Sequence, residues 1–192
     1  MTEFQEKSFV VVRGFIEPQG IQTISRYMEY AVKSQEYNSV TDRWSKHAKY
    51  ADPLMETILY NSKESVEEIT GMALDPTYAY ARVYFKNDEM PKHTDRHSCE
   101  ISLTVNVATV GKKWPIWIHV SGQEPIAIAL EPGDAIVYKG CEVSHWREKA
   151  VDMDITAQFM LHYVDKNGPY AKYKYDARPG LGMPISSRLW SF

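Results

Sequence analysis

The 192-residue chain is 44% hydrophobic and 24% charged, proportions that suit one globular domain with one core and argue against a two-domain enzyme. With 22 basic against 25 acidic side chains and a formal charge of −3, it carries no global attraction for nucleic acid or an anionic membrane, and neither is an expected partner. The opening MTEFQEKSF lacks an apolar run of signal-peptide length and no stretch approaches roughly 18 uninterrupted apolar residues, so a soluble, cytoplasmic protein is expected.

Ser8 to Gly14 (SFVVVRG) is rich in β-branched residues and stops at a glycine, which predicts a short buried strand. Pro18 then opens a helix over 19–37, in which Ile21, Ile24, Met28 and Ala31 recur at helical spacing. A second helix is predicted over 53–70, with Pro53 in its first turn, Gly71 as its stop and a break at Asn61-Ser62. After Pro76 the apolar runs become short, aromatic and β-branched. Strands are predicted at 78–85, 99–108, 114–120, 125–130, 134–139, 143–149 and 155–164. Helices that precede the strands argue against a doubly wound parallel sheet. The expected fold is mainly β with N-terminal helices: a double-stranded β-helix, the cupin-like jelly-roll barrel. Its parts are helical support over about 15–75, a core over 76–164 and an irregular arm over 165–192.

His93 and Asp95 are two residues apart, so on an extended segment their side chains leave the same face. A third ligand must come from another strand. His145 lies 52 residues further on, with several predicted strands between, and the separation is read as opposite edges of one barrel layer. Two imidazoles and a carboxylate on one face of an octahedron leave three positions open, the arrangement with which Fe(II) holds a co-substrate and O₂ together. A structural zinc site closes its shell. The rival set His93, Asp95 and His97 shares one strand face, where three adjacent ligands converge poorly.

Tyr80-Ala-Arg82-Val-Tyr84 followed by His93-Thr-Asp95-Arg96, then Ile101 to Asn106, Pro132-Gly-Asp-Ala-Ile-Val137 and finally His145 resemble the succession of motifs in the prolyl-4-hydroxylase-like branch of the Fe(II)- and 2-oxoglutarate-dependent oxygenases, closest to small stand-alone members. The resemblance spans roughly Phe9 to Val164. It implies that His93, Asp95 and His145 bind Fe(II), that Tyr84 and Thr104 line the 2-oxoglutarate pocket, with Ser102 facing the same way, and that a C–H bond is hydroxylated with release of succinate and CO₂. Fe(II), 2-oxoglutarate and O₂ are then the cofactors, ascorbate a stimulant, and a peptide, protein or small molecule the substrate, with peptidyl-proline the first to try.

The sequence departs from the pattern at one place. Relatives hold the far carboxylate of 2-oxoglutarate with a base on the last barrel strand, and Asp154, Ile155 and Thr156 offer none. Arg147, two residues beyond His145, and Lys113 are the alternatives, Arg147 preferred; its bland account is an ion pair with Glu148 or Glu142. A cupin-like metal enzyme without 2-oxoglutarate, or a binding module of the same fold, stays open beside the oxygenase. Other residues are read as structural: His119 and His162 as core or interface histidines, His47 as exposed, Cys99 and Cys141 as buried thiols, and Arg96 with Glu100 as an ion pair. Trp44, Tyr50, Trp146 and Trp190 are candidates for a groove. Tyr170, Tyr173 and Tyr175, interleaved with Lys172 and Lys174, face an anionic polymer or cover the substrate.

Overall fold

The computed structural model describes residues 1–39 and 42–183. In chain order the elements are α1 (Glu3–Lys7), β1 (Phe9–Val12), α2 (Pro18–Lys33), β2 (His47–Tyr50), α3 (Pro53–Asn61) and α4 (Lys63–Thr70), then β3 (Leu74–Phe85), β4 (Met90–His93), β5 (Ile101–Gly111), β6 (Ile116–His119), β7 (Ile126–Ile128), β8 (Ala135–Lys139), β9 (Ser144–Arg147) and β10 (Met153–Asp165). Two antiparallel sheets form, one of six strands in the order β1-β8-β5-β10-β3-β2 and one of four in the order β4-β9-β6-β7. This is a jelly roll. Among the described residues, no helix is long and apolar enough to cross a membrane.

The predicted helix over 53–70 does break at Ser62, the C-cap of α3 and N-cap of α4; Asp52 caps the start by accepting from Leu54 N and Met55 N, and Gly71, at φ 69°, ends the second piece in a left-handed cap. Three elements were not foreseen as such. α1 is too short for a periodic signal and announces itself only by the Thr2–Gln5 capping box. β2 (HAKY) has no apolar run because it is the edge strand beside β3, and β4 contains Pro91, a residue that edge strands tolerate. β1, expected as a buried strand, is only half-buried, since it too is an edge and pairs with β8 alone. Cys99 falls in a single 3₁₀ turn, so the strand predicted from 99 begins at Ile101 and runs on to Gly111.

The six-stranded sheet turns two chemically different faces in opposite directions. Ala79, Ala81 and Val83 of β3, Leu103 and Val105 of β5, and Phe159 and Leu161 of β10 pack in one cluster with Ile24 and Met28 of α2, Met55 and Leu59 of α3 and Val66 of α4. Burying each larger aliphatic or aromatic side chain there contributes about 1.5–3 kcal/mol. The alternate residues face the four-stranded sheet and are largely polar: Tyr80 and Arg82 of β3, Ser102 and Thr104 of β5, Gln158 and His162 of β10. Strand pairing sets them in rows, Tyr78 with His162 and Ser102, then Tyr80 with Met160 and Thr104, then Arg82 with Gln158 and Asn106. A second apolar cluster, with Met90, Ile116, Ile118, Ile136 and Val143, seals the four-stranded side.

Candidate metal centre

β4 and β9 are neighbours, and His93 is the direct cross-strand partner of His145. The reading of opposite edges is therefore wrong: the chain leaves the small sheet after β4, returns for β6 and β7, leaves again for β8, and comes back as β9 in the place beside β4. Asp95 follows β4 immediately, its N–H donating to Gly140 O at 2.8 Å. One ligand atom each from His93, Asp95 and His145 lies within 4.8 Å of the others.

Hydrogen bonds outside the cluster determine which atoms face inward. Nδ1 of His93 lies 2.8 Å from Pro91 O and Nδ1 of His145 lies 3.0 Å from Val143 O. A carbonyl only accepts, so each Nδ1 carries a proton, and Nε2 is the ring nitrogen turned toward Asp95. Those Nε2 atoms sit 3.7 Å and 3.5 Å from the same carboxylate oxygen, Asp95 Oδ1. Burial works to raise the pKa of Asp95, but the hydrogen bond and charge of His145, then His162 and the Ser102 hydroxyl, outweigh it and bring it down to about 2. Burial and the neighbouring His145 lower that of His93. A carboxylate oxygen and two imidazole nitrogens turned toward one point are the donor set of a divalent metal, so the residues fit one. His97 takes no part: it is exposed and stacks on Tyr170 at 4.4 Å.

Asp95, Cys99 and His162 form a second cluster of possible ligands. Its interior is taken by the Ser102 hydroxyl, 2.8 Å from Asp95 Oδ2 and 2.9 Å from His162 Nδ1. Burial pushes the Cys99 thiol well above its ordinary range and the His162 imidazole down to about 4. Both are neutral, and the cluster is a hydrogen-bonded corner of the core.

His93, Asp95 and His145 line a cavity of about 400 Å³ between the sheets, together with Trp44, Tyr80, Arg82, Thr104 and Gln158. One wall comes from the loop before β2. Asp42 Oδ1 accepts from Trp44 N and Ser45 N at 2.8 and 2.9 Å, and Oδ2 from Tyr80 Oη and Arg82 Nε at 2.8 and 2.7 Å. That clamp lays the Trp44 ring 4.5 Å from His93 and the Arg82 guanidinium 4.7 Å from Trp44. Asp42 and Arg82 were not singled out for this role; only the R-x-Y motif hinted at Arg82.

At the other end of β10, Thr156, one of the three positions without a base, is buried, and Gln158 two residues on lines the cavity. Tyr84 is fully buried and, like Arg147, stands behind the residues that line the cavity. Arg147 reaches it through Gln158, whose Oε1 accepts from Nη2 at 2.8 Å; Nη1 donates to Trp114 O, and the guanidinium lies 4.9 Å from the Trp114 ring. Nε is buried without a partner, and no carboxylate among the described residues pairs with this cation. Neither Glu142 nor Glu148 does so: Glu142 holds Lys139, and Glu148 accepts from Trp146. Burial pulls the pKa of Arg147 down to about 10. Lys113 is exposed and ion-paired with Glu131, away from the cavity.

Several structural readings change. Arg96 pairs not with Glu100 but with both oxygens of Asp176, at 2.7 Å each, and Glu100 instead accepts from Asp165 N. Cys141 and His47 are half-buried, neither the buried thiol nor the exposed imidazole expected. His119 shares a surface contact of 3.1 Å with Lys92. Of the four groove aromatics only Trp44 reaches the cavity; Tyr50 donates to Asp176, Trp146 stacks on Trp117, and Trp190 lies outside the described residues. The arm is tied down through Lys174–Asp75, Asp176–Arg96 and Arg178–Glu56. These bonds hold Tyr175, Asp176 and Ala177 at φ 56°, 55° and 61°, left-handed backbone that costs about 1–2 kcal/mol per residue.

No protein-family model matches the sequence, and no curated protein matches it either. Solved structures do. A prolyl-4-hydroxylase from Pseudomonas putida superposes with a TM-score of 0.68 at 10% identity, over 83% of this chain and 95% of that one. An oxidoreductase of the 2OG-Fe(II) oxygenase family from Burkholderia pseudomallei gives 0.68 at 14% identity, over 86% and 89%. The fold is theirs. SnoN, a non-heme α-ketoglutarate-dependent epimerase from nogalamycin biosynthesis, gives 0.69 at 9% identity, over 84% and 78%. The jelly roll read from the strand pattern is thus the fold of this chain, shared with oxygenases that act on dissimilar substrates.

Proposed function

We propose that the protein is an Fe(II)- and 2-oxoglutarate-dependent oxygenase that hydroxylates a C–H bond. The observation that carries this reading is the pairing of a two-histidine, one-carboxylate cluster with a buried guanidinium that has no anion, one pleat repeat away on the same strand. Two residues of strand span about 6.7 Å, a distance suited to a short dicarboxylate that reaches from the metal to Arg147. The Arg147 guanidinium has two hydrogen bonds but no anion, and a carboxylate bound against it would supply the missing countercharge.

Bound at His93, Asp95 and His145, Fe(II) with 2-oxoglutarate and O₂ supplies the oxidation of a C–H bond, with succinate and CO₂ released. The chain's own residues hold and exclude. His93 and His145 would offer Nε2 and Asp95 Oδ1, Arg147, behind Gln158, and Thr104 would hold the far carboxylate of 2-oxoglutarate, and Trp44 closes the side facing His93. A peptidyl-proline is the first substrate to try, on the resemblance of the His93–Asp95 region to prolyl-4-hydroxylases. A metal enzyme that does not use 2-oxoglutarate is the second reading, favoured by the stretch Asp154, Ile155 and Thr156 of β10, which offers no base.

One titration separates them. Anaerobic Fe(II) followed by 2-oxoglutarate is expected to give a weak visible charge-transfer band and a further rise in melting temperature. A rise with metal alone, unchanged by 2-oxoglutarate, supports the second reading and refutes the first. Aerobic incubation with proline-containing peptides, scored by mass spectrometry for one added oxygen, then tests the substrate.

A further inference from the structure

Asp95 carries two oxygens, and the structure treats them unequally. Oδ1 faces both imidazoles, at 3.5 and 3.7 Å. Oδ2 points the other way, to Ser102 Oγ at 2.8 Å. Ser102 has one proton. Its other neighbours are Cys99 O at 3.0 Å and His162 Nδ1 at 2.9 Å, and of the two acceptors the ionised carboxylate is the stronger. With that proton given to Asp95, the Ser102 oxygen is free to accept, and His162 supplies the donor from Nδ1. His162 is the cross-strand partner of Ser102, so the relay is built into the register of β10 on β5.

Gly140 completes the corner. A Cβ at this position would lie 2.6 Å from Asp95 Oδ2 and 2.8 Å from Ser102 Oγ, and would collide with Cys99 O. Its φ is not in the left-handed region, so glycine is required for space and not for conformation. The notch holds Oδ2 against the serine, while the bonds from Asp95 N to Gly140 O and from Gly140 N to Glu100 O, both 2.8 Å, fix its walls.

We propose that Ser102, oriented by His162 and given room by Gly140, is a positioning residue that makes Asp95 a one-oxygen metal ligand. This rests on the metal-centre reading above. The consequence is coordinative: a carboxylate that binds through both oxygens fills four of six octahedral positions with protein, whereas one oxygen leaves three for co-substrate and O₂.

Mn(II) and the full chain test it without turnover. Titration should show Ser102→Ala binding Mn(II) about 10–100-fold more weakly than wild type, the range for lost partners of metal ligands. Water-proton relaxation per bound Mn(II) should fall, because the released carboxylate claims a position that water held. His162→Phe, which removes the donor but leaves Ser102, should shift both readouts in the same direction by less, and His162→Gln, whose amide N–H restores a donor, should return them toward wild type. These variants keep the test alive if Ser102→Ala does not fold. Unchanged affinity, or weaker affinity with unchanged relaxation, would overturn the proposal. Wild type that binds no Mn(II) would overturn the metal-centre reading itself.

Discussion

Replacing Arg147 by Met separates a ligand anchor from a structural cation, because the first role predicts a lost response to 2-oxoglutarate and the second a large loss of stability in the ligand-free protein. The Arg147 side chain is buried, with two hydrogen-bonded Nη atoms, an orphaned Nε and no carboxylate. Desolvating a cation costs several kcal/mol. Two charged hydrogen bonds return about 1.5–3 kcal/mol each and the Trp114 ring up to about 2 kcal/mol, so the balance is near zero. Met fills a similar volume without the charge, which removes the desolvation cost but leaves Trp114 O and Gln158 Oε1 without their donor, about 1–3 kcal/mol for each that stays unpaired. For a chain of this length 1 kcal/mol moves the melting temperature by about 2–4 °C, so Arg147→Met should move it by no more than a few degrees. Affinity for 2-oxoglutarate should fall on the order of 100-fold, the worth of a bidentate pair near 2.7 kcal/mol. At 100 times the wild-type Kd, 2-oxoglutarate stabilises the wild type by about 2.7 kcal/mol, or about 5–11 °C. The variant at that concentration sits near its own Kd and should gain about 0.4 kcal/mol, roughly 1 °C. Anaerobic melting with and without 2-oxoglutarate, at saturating Mn(II), measures both quantities. A ligand-free melting temperature several degrees lower, with the 2-oxoglutarate response intact, would refute the anchor and leave Arg147 a structural residue.

Two further outcomes concern stability. Glu56 and Arg178 are an ion pair with side chains 2% and 0% exposed, so Glu56→Ala strands a buried cation and should cost about 3–5 kcal/mol, on the order of 10 °C; a loss below about 1 kcal/mol in urea denaturation would show that the arm is not held this way. His162, lowered from 6.5 to about 4 by burial, binds its proton more readily in the unfolded chain. Its stability contribution is therefore complete above pH 6.5, declines as pH falls, and is lost by about pH 4. Between pH 7 and pH 5 this amounts to about 2 kcal/mol, and His162→Gln should lose less stability over that interval by the same amount. Parallel wild-type and variant profiles would contradict it.

The strands and the candidate pair were legible because both rest on local sequence. Short aromatic and β-branched runs marked β3, β5, β8 and β10, and the shared face of His93 and Asp95 was read from two residues of extended chain. What escaped was set by neighbours distant in sequence. The edge strands β2 and β4 carry no apolar run, since one face or one edge of each meets solvent. Gly140 is invisible as a turn glycine, because the collision it avoids involves Asp95 and Ser102 from other elements. Asp42 looks like any loop aspartate until Arg82 and Tyr80 arrive from β3. Arg96 has Glu100 four residues away, yet meets Asp176, 80 residues on, because Cys99 turns the chain in a 3₁₀ loop and the arm returns across it.

The two faces of the six-stranded sheet divide the labour of the molecule. Leu103, Phe159 and Leu161 answer to α2, α3 and α4 and determine whether the chain folds. Thr104, Gln158 and Tyr80, on the opposite face of the same strands, look into the cavity. A change of substrate preference written at the second set therefore leaves the first set's packing intact, apart from whatever the strand backbone itself transmits. Such a partition lets a single barrel drift between chemistries, one inward-facing residue at a time, without passing through an unfolded ancestor.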